Sequence, residues 1–464
     1  MRILLVSCYE LGHQPLGVAG PAARLRVAGH EVRTLDLSVE PWEPGRLDWP
    51  DRVACSVPMH TATRLARQVI DEVRRVRPEI PVACYGLYGA AMADTADRAF
   101  AGETDDALLA WVDGDDRDQV VHLGRGAARA GAPRPARELL PPLDRYTRLV
   151  RGDTEHLVAS VEASRGCVHR CRHCPVPAVY DGRIRVWQRE VLVEDVARLW
   201  AEGMRHLTFG DPDFLNAVPH ALAVARAVHE RCPELTFDIT TKVEHILEHP
   251  RVVAELRELG LLFIVSAVES TSPRVLELLD KGHSADDVRV ALRTCRSLGV
   301  ELRPSLLPFT PWSTLRDQLD LLDLITGEEL VDSVDPVQLS IRLLVPPGSL
   351  LLARPETREH LRGYDAAGFS HLWQHPDPAM DSLQAEIAQL VATDADGGVP
   401  PRRTHAAIRR LSARAAAASG LPWPDAGQEL PPERGAPPRL SEPWFCCAEP
   451  TTAQLAGAGV GLGA

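Results

Sequence analysis

Apolar and polar residues alternate in blocks along this chain. The first block, Arg2-Ile-Leu-Leu-Val-Ser7, is a short apolar run that predicts a strand. A loop follows, then residues 21–28 show helical spacing, closed by Gly29. Residues 32–37 and 52–57 predict two further strands, and 61–76 an amphipathic helix leading into a strand at 82–85. Strands alternating with helices predict an α/β, doubly wound parallel sheet over residues 1–123. Its ligand would lie at the carboxyl ends of the strands, in the loops 8–20, 56–61 and 86–90. Residues 124–154 begin with an Ala/Arg/Gly/Pro-rich stretch and predict a linker. The alternation then resumes, with strand-like segments at 206–209, 236–239, 261–266, 301–306 and 336–341. Helical segments at 193–203, 219–232 and 285–299 separate them. This predicts a partial (β/α)6 TIM-type barrel over 155–350, with its chemistry in the strand-end loops. Helices at 380–393 and 402–420 predict a helical region over 351–420, followed by a Pro-rich tail over 421–464.

The length of 464 residues fits two or three domains rather than one binding module. With 45% hydrophobic and 25% charged residues, general disorder is excluded. A formal net charge of -13 offers no diffuse attraction to nucleic acid or anionic membranes, so neither partner is expected. No apolar stretch approaches the roughly 20 residues a membrane span needs. The first nine residues lack the features of a signal peptide, and the expected location is the cytoplasm. There thiols stay reduced or ligate metals.

The most specific feature is Cys167-Val-His-Arg-Cys171-Arg-His-Cys174, directly after a strand expected to end near Gly166. Three thiolates so close can reach one metal centre. Iron–sulfur clusters usually take four cysteines, so three leave one iron open to a reactant. A structural zinc site with His169 or His173 as fourth ligand is the competing reading.

The C-x3-C-x2-C spacing resembles the radical S-adenosylmethionine (radical SAM) superfamily. The resemblance implies that Cys167, Cys171 and Cys174 hold a [4Fe-4S] cluster whose unique iron takes the methionine part of S-adenosyl-L-methionine. Reductive cleavage of that cofactor gives a 5'-deoxyadenosyl radical. His173 stands where the family usually has an aromatic residue near the adenine. Gly210, Asp211 and Asp213 stand where a Gly-Gly-Glu-like segment binds the methionine amino group. Ser266 and Glu269 resemble the fourth-strand signature that contacts ribose or methionine, and Arg303 is a candidate carboxylate partner. Residues 1–123 resemble the cobalamin-binding domain that precedes many such barrels. The Asp-x-His-x-x-Gly motif is absent there, since Leu11 stands in the Asp position before His13, and cobalamin stays open as a third cofactor.

A second cysteine group, the pair Cys446-Cys447, lies in Trp-Phe-Cys-Cys-Ala-Glu-Pro450. This tail resembles the CUAEP/CCAEP-tail radical SAM (seleno)protein family, which implies redox, hydrogen-donor or metal-ligating thiols there. The first reading is therefore a radical SAM enzyme acting on an unknown small-molecule or peptide substrate, fed by a reductant such as flavodoxin or ferredoxin. The alternatives are a cobalamin-dependent radical SAM methyltransferase and a non-catalytic iron–sulfur electron-transfer protein. The five scattered cysteines, Cys8, Cys55, Cys84, Cys232 and Cys295, need no role beyond packing.

Overall fold

A computed structural model describes residues 1–102, 105–114, 120–122 and 133–442. The first sheet has six parallel strands: β1 (Arg2–Ser7), β2 (Glu31–Asp36), β3 (Arg52–Ser56), β4 (Val82–Gly86), β5 (Arg98–Ala101) and β6 (Val120–His122). Their spatial order is β2-β1-β3-β4-β5-β6, so the chain reverses direction across the sheet beside β1. Helix α1 (Leu16–Val27) buries Val18, Ala22 and Leu25 on one face. Helix α2 (His60–Val76) buries Leu65, Val69 and Val73 on the other, and α3 (Asp105–Val112) joins α1 through Leu108 and Trp111. This is the doubly wound sheet expected from the alternation.

Helix α1 starts earlier than expected, at Leu16, and carries Pro21 in its interior. Proline has no N–H for the carbonyl four residues back. That carbonyl, Gly17 O, instead accepts the Tyr85 hydroxyl from β4 at 2.8 Å. The loss that should break the helix is thus made good from the sheet.

The second sheet contains β7 (Arg148–Arg151), β8 (Thr154–Val161), β11 (His206–Phe209), β12 (Thr236–Thr240), β13 (Leu261–Glu269) and β14 (Glu301–Leu306). Strands β8, β11, β12, β13 and β14 run parallel as neighbours, and β7 pairs antiparallel with β8. A small ladder, β9 (Ser164–Gly166) with β10 (Ile184–Val186), follows β8. Leu207, Phe209, Phe237, Ile239, Ile264, Val268, Leu302 and Leu306 bury one face of the curled sheet under its helices. The alternate positions Thr208, Thr240, Val265, Ala267, Arg303 and Ser305 stay partly exposed on the concave face. This half-barrel matches the expected architecture with one difference. Residues 336–341, read as a sixth strand, form a 3-10 turn at Pro336–Leu339, and only a bridge from Phe309 to Arg342 continues the barrel. Pro336 starts that turn, where its missing N–H costs nothing.

The C-terminal region is helical at Pro378–Asp396 and Pro401–Ala418, as expected. It also contains a hairpin, Leu361–Asp365 with Ser370–Trp373, that periodicity did not reveal. This hairpin reaches the first domain, where Phe369 joins its core and its carbonyl meets His60 Nε2 at 3.1 Å. The tail is not a free tether throughout. Arg439–Leu440 pairs antiparallel with β7, and Tyr9 donates to Glu442 Oε1 at 2.5 Å.

The two sheets are clasped by Arg137. Its guanidinium pairs with Asp195 at 2.8 Å and donates to Gln14 Oε1 and Ser160 O, with both ion-pair partners almost fully buried. Losing one partner of such a pair strands a buried charge at a cost of about 3–5 kcal/mol. Arg137→Met is expected to lower the thermal midpoint clearly, and adding Asp195→Leu should recover part of the loss. An unchanged midpoint in the single variant would show that the clasp contributes nothing.

Candidate functional site

The three cysteines sit where β9 leaves the sheet. Gly166 takes φ +81°, and a Cβ there would lie 2.2 Å from Arg183 O, so only glycine lets the chain turn directly into Cys167. Cys167 and Cys171 are buried, and Cys174 is half-buried as the residue preceding α4 (Pro175–Tyr180). None of the three is in a disulfide. The Cys174 N–H donates to Cys171 O at 3.2 Å, closing the loop on itself. Asn216 Oδ1 accepts the Val168 N–H at 3.3 Å and lies 3.6 Å from Cys167 Sγ. Burial pushes the Cys167 thiol up to about 11, so a bound metal would have to displace its proton. As a donor set, three thiols in eight residues on one strand-end loop fit an iron–sulfur cluster with one open iron.

The loop is held on both sides. The Arg172 N–H donates to Leu279 O at 2.9 Å, and its guanidinium reaches Glu277 O and Leu278 O at the end of α5 (Pro273–Leu279). On the other side, His169 Nε2 lies 3.3 Å from His245 Nε2, and His245 Nδ1 lies 3.0 Å from Asp213 Oδ2. His169, Asp213 and His245 thus gather at the ends of β9, β11 and β12, with ligand atoms within 4.8 Å of one another. The sequence reading missed this group as a unit. Its signal was there: a polar residue within a few positions of the end of each of β9, β11 and β12.

The residues read as cofactor contacts fall into three groups. Gly210, exposed at the end of β11, and Arg303, on the concave face of β14, both border the open side of the half-barrel. Arg303 pairs with Asp335 at 3.2 Å and leaves Nη1 buried without a partner. Asp211, Asp213, Glu269 and His173 are buried and already engaged. Asp211 accepts from Ala163 N, Ser164 N and the Ser164 hydroxyl at 2.5–2.8 Å. Asp213 accepts from Leu215 N and the Thr241 hydroxyl besides meeting His245. Glu269 Oε1 meets His173 Nε2 at 3.1 Å and Lys281 Nζ at 3.2 Å. Burial alone would raise the Glu269 carboxyl, but Lys281 and His173 outweigh it and hold the group at about 2. Ser266 forms the third group: it shares the helix-packed face of Ile264 and Val268, with its hydroxyl buried and unpartnered. Strand alternation turns it away from the concave side that Val265 and Ala267 border. Cys446 and Cys447 lie outside the described residues.

In the first domain, His13 sits in the loop after β1, nine-tenths buried, with Nδ1 lacking a partner. Burial depresses its imidazole to about 4, opposed by Asp238 of β12, so the ring is neutral and lies near the barrel strands.

Residues 161–322 match the profile of the radical SAM superfamily. The chain is 25% identical over 327 residues to the hopanoid C-3 methylase of Methylococcus capsulatus, covering 65% of this chain and 62% of that one. It is 24% identical over 209 residues to the hopanoid C-2 methylase of Rhodopseudomonas palustris, covering 44% and 37%. Each of these relatives is matched over less than two thirds of its own length. Among solved structures, the cobalamin-dependent radical SAM enzyme OxsB superposes with a TM-score of 0.65 at 14% identity, covering 85% of this chain and 67% of that one. The radical SAM methyltransferase TsrM from Kitasatospora setae, with cobalamin and [4Fe-4S] cluster bound, gives 0.60 at 15%, covering 90% and 99%. These likenesses span both sheets, so the two-part fold itself is shared. Among the described residues no helix is long and apolar enough to cross a membrane.

The buried Asp211 carries a pH dependence. Burial pushes its carboxyl up to about 7, against the Ser164 hydroxyl and the Ala163 N–H, while an unfolded chain releases the proton near 4. Between about pH 4 and 7 the folded state therefore binds more protons, and this group's contribution falls as pH rises. Asp211→Asn is expected to flatten that fall, measured as the wild-type minus variant difference in urea midpoint at pH 5 and pH 7.5. A difference independent of pH would remove the assignment.

Proposed function

We propose that this protein is a radical SAM enzyme of the cobalamin-dependent kind that transfers a methyl group or rearranges its substrate. The observation that carries this reading is the pairing of a superfamily-matched half-barrel with a doubly wound domain in the arrangement of OxsB and TsrM. We assign residues 1–123 as the cobalamin-binding-like domain, 124–154 as a linker whose last residues add β7 to the barrel sheet, 155–350 as the barrel, 351–420 as the helical region and 421–464 as the tail. Cys167, Cys171 and Cys174 would hold the [4Fe-4S] cluster. Gly210 and Arg303 would border S-adenosyl-L-methionine, Arg303 offering its unpartnered Nη1 to a carboxylate. Asp211, Asp213, Glu269 and His173 would act behind them by fixing loops.

For a corrinoid, His13 offers fitting donor chemistry. His13 is a neutral imidazole with an unpartnered buried nitrogen, in the first domain but within range of the charge on Asp238. Bound there, a corrinoid supplies methyl-transfer or cobalt-assisted radical chemistry. Its motif departs from Asp-x-His-x-x-Gly, so Glu10 rather than an aspartate is the acid of this loop, accepting from Leu16 N and Gly17 N. The substrate is a small molecule or peptide, and the cluster requires a one-electron donor. Cys446 and Cys447 are assigned a redox or hydrogen-donor role on their likeness to the CCAEP-tail family.

Anaerobically reconstituted protein given S-adenosyl-L-methionine and dithionite should form 5'-deoxyadenosine or S-adenosylhomocysteine, and Cys174→Ala should abolish both. A cluster of wild-type content without either product, in the presence of substrate, would favour the electron-transfer reading. Reconstitution with hydroxocobalamin followed by gel filtration should leave corrinoid absorbance on the wild-type protein and reduce it in His13→Ala. Cofactor cleavage with no retained corrinoid would instead favour a radical enzyme whose distinguishing groups are the tail thiols, for which Cys447→Ala should stop product formation but not cofactor cleavage.

A further inference from the structure

Lys281 is an unusual residue to find inside this barrel. Its residue is 2% exposed, and its ammonium meets a carboxylate that is itself shared with His173. A buried lysine is retained only where charge offsets its lost hydration. One carboxylate, Glu269, provides part of that. That carboxylate also sets it beside the cysteine loop, because Glu269 Oε1 meets the imidazole of His173, the residue before Cys174.

The backbone is shaped to hold this arrangement. Glu269 lies at φ +63°, uncommon for a residue with a side chain, at a bulge where the β13–β14 register shifts between Ala267 and Glu269. Such a conformation costs about 1–3 kcal/mol and persists where its surroundings enforce it. Here the Glu269 carbonyl accepts the Leu307 N–H at 2.8 Å. On the other side, Gly282 turns the chain at φ +77°, and a Cβ there would lie 2.0 Å from Glu244 Oε1. Lys281 is thus fixed between a glycine turn and a strained glutamate, two residues after the carbonyl of Leu279 that receives the Arg172 N–H of the cysteine loop.

We propose that Lys281 is the buried counter-charge that sets the reduction potential of the cluster on Cys167, Cys171 and Cys174, with Glu269 as the carboxylate that fixes and moderates it. This rests on the cluster assignment above. The electrostatics give opposite signs for the two residues. Three thiolates on a [4Fe-4S] core make a site that is anionic before reduction and more so after it. A fixed cation beside it stabilises the reduced form, and a fixed anion destabilises it. Lys281 is a positioning and electrostatic residue in this account, without contact to the reacting atoms.

The test is an EPR-monitored redox titration of the reconstituted full-length chain, with iron and sulfide content measured for each variant. Lys281→Met should shift the cluster to a more negative potential by at least a tenfold change in the reduction constant, 59 mV for one electron. Lys281→Arg should stay within threefold of wild type, and Glu269→Gln should shift in the opposite direction to Lys281→Met. Unchanged potential in Lys281→Met at wild-type iron content overturns the proposal. If that variant loses its cluster, Glu269→Gln decides, since an unchanged or more negative potential there overturns it. Absence of any [4Fe-4S] signal from the wild-type chain would instead strike at the cluster assignment itself, which separates the two failures.

Discussion

Buried carboxylates that must find partners organise this site. Asp211, Asp213 and Glu269 stand at the ends of β11 and β13 and are almost fully buried. A carboxylate in that position is costly unless donors surround it. Each meets the demand by pulling in a loop. Asp211 gathers the backbone leading into β9, Asp213 gathers the turn after β12 with His245, and Glu269 gathers His173 and Lys281. All three threads converge on the segment 163–174, which carries the cysteines. The thiols are therefore positioned chiefly by electrostatic debts owed elsewhere in the barrel.

This convergence explains what could and could not be read from the sequence. The doubly wound sheet and the five parallel strands of the barrel were legible, because their apolar periodicity reflects burial between layers, a one-dimensional signal. The cysteine motif was legible because its ligands are near neighbours in the chain. The acids stand at strand ends, yet the sequence could not show that their hydrogen-bonding capacity is used within the protein. Ser266 illustrates the same limit from the other side: its neighbours marked a polar strand end, while the β13 register decides that it faces the helices. The sixth strand failed for a local reason, since Pro336 opens a tight turn where an apolar alternation suggested extension. The hairpin over 361–373 escaped because its strands hold Gly and charged residues, and because the Phe369 of its turn finds its apolar partner, the first domain's core, some 300 positions away.

The contacts between the two sheets bear on how the first domain can contribute to chemistry. Arg137, Gln14 and Asp195 tie the loop after β1 to the barrel, the Phe369 hairpin covers the start of α2, and Glu442 meets Tyr9. The carboxyl edge of the first sheet is thus gripped from three directions by later parts of the chain. The Gly86 and Gly89 backbones lie close against Val57 O and Phe100 O, where any Cβ would collide or crowd. A ligand at this edge would have to share a tightly organised junction, which suits selection of one ligand shape better than permissive binding.

Charge distribution sharpens the point about the cluster. The chain as a whole carries -13, and a reduced iron–sulfur centre adds further negative charge in a region that already contains Glu269. Dispersed surface charge matters little at such a site, because solvent screens it within about 10 Å at 0.1 M salt. Buried charge is screened far less, so the few internal cations have disproportionate weight. Among the described residues around the cysteine loop, Arg172 spends its guanidinium on carbonyls and on Asp280, and Lys242 is paired with Glu244. Lys281 differs from both in being buried and in sharing its carboxylate with His173, the residue before Cys174. The same carboxylate that makes its burial tolerable also limits how much positive charge the cluster sees. The balance between these two side chains, rather than the net charge of the protein, is what the local electrostatics of the half-barrel turn on.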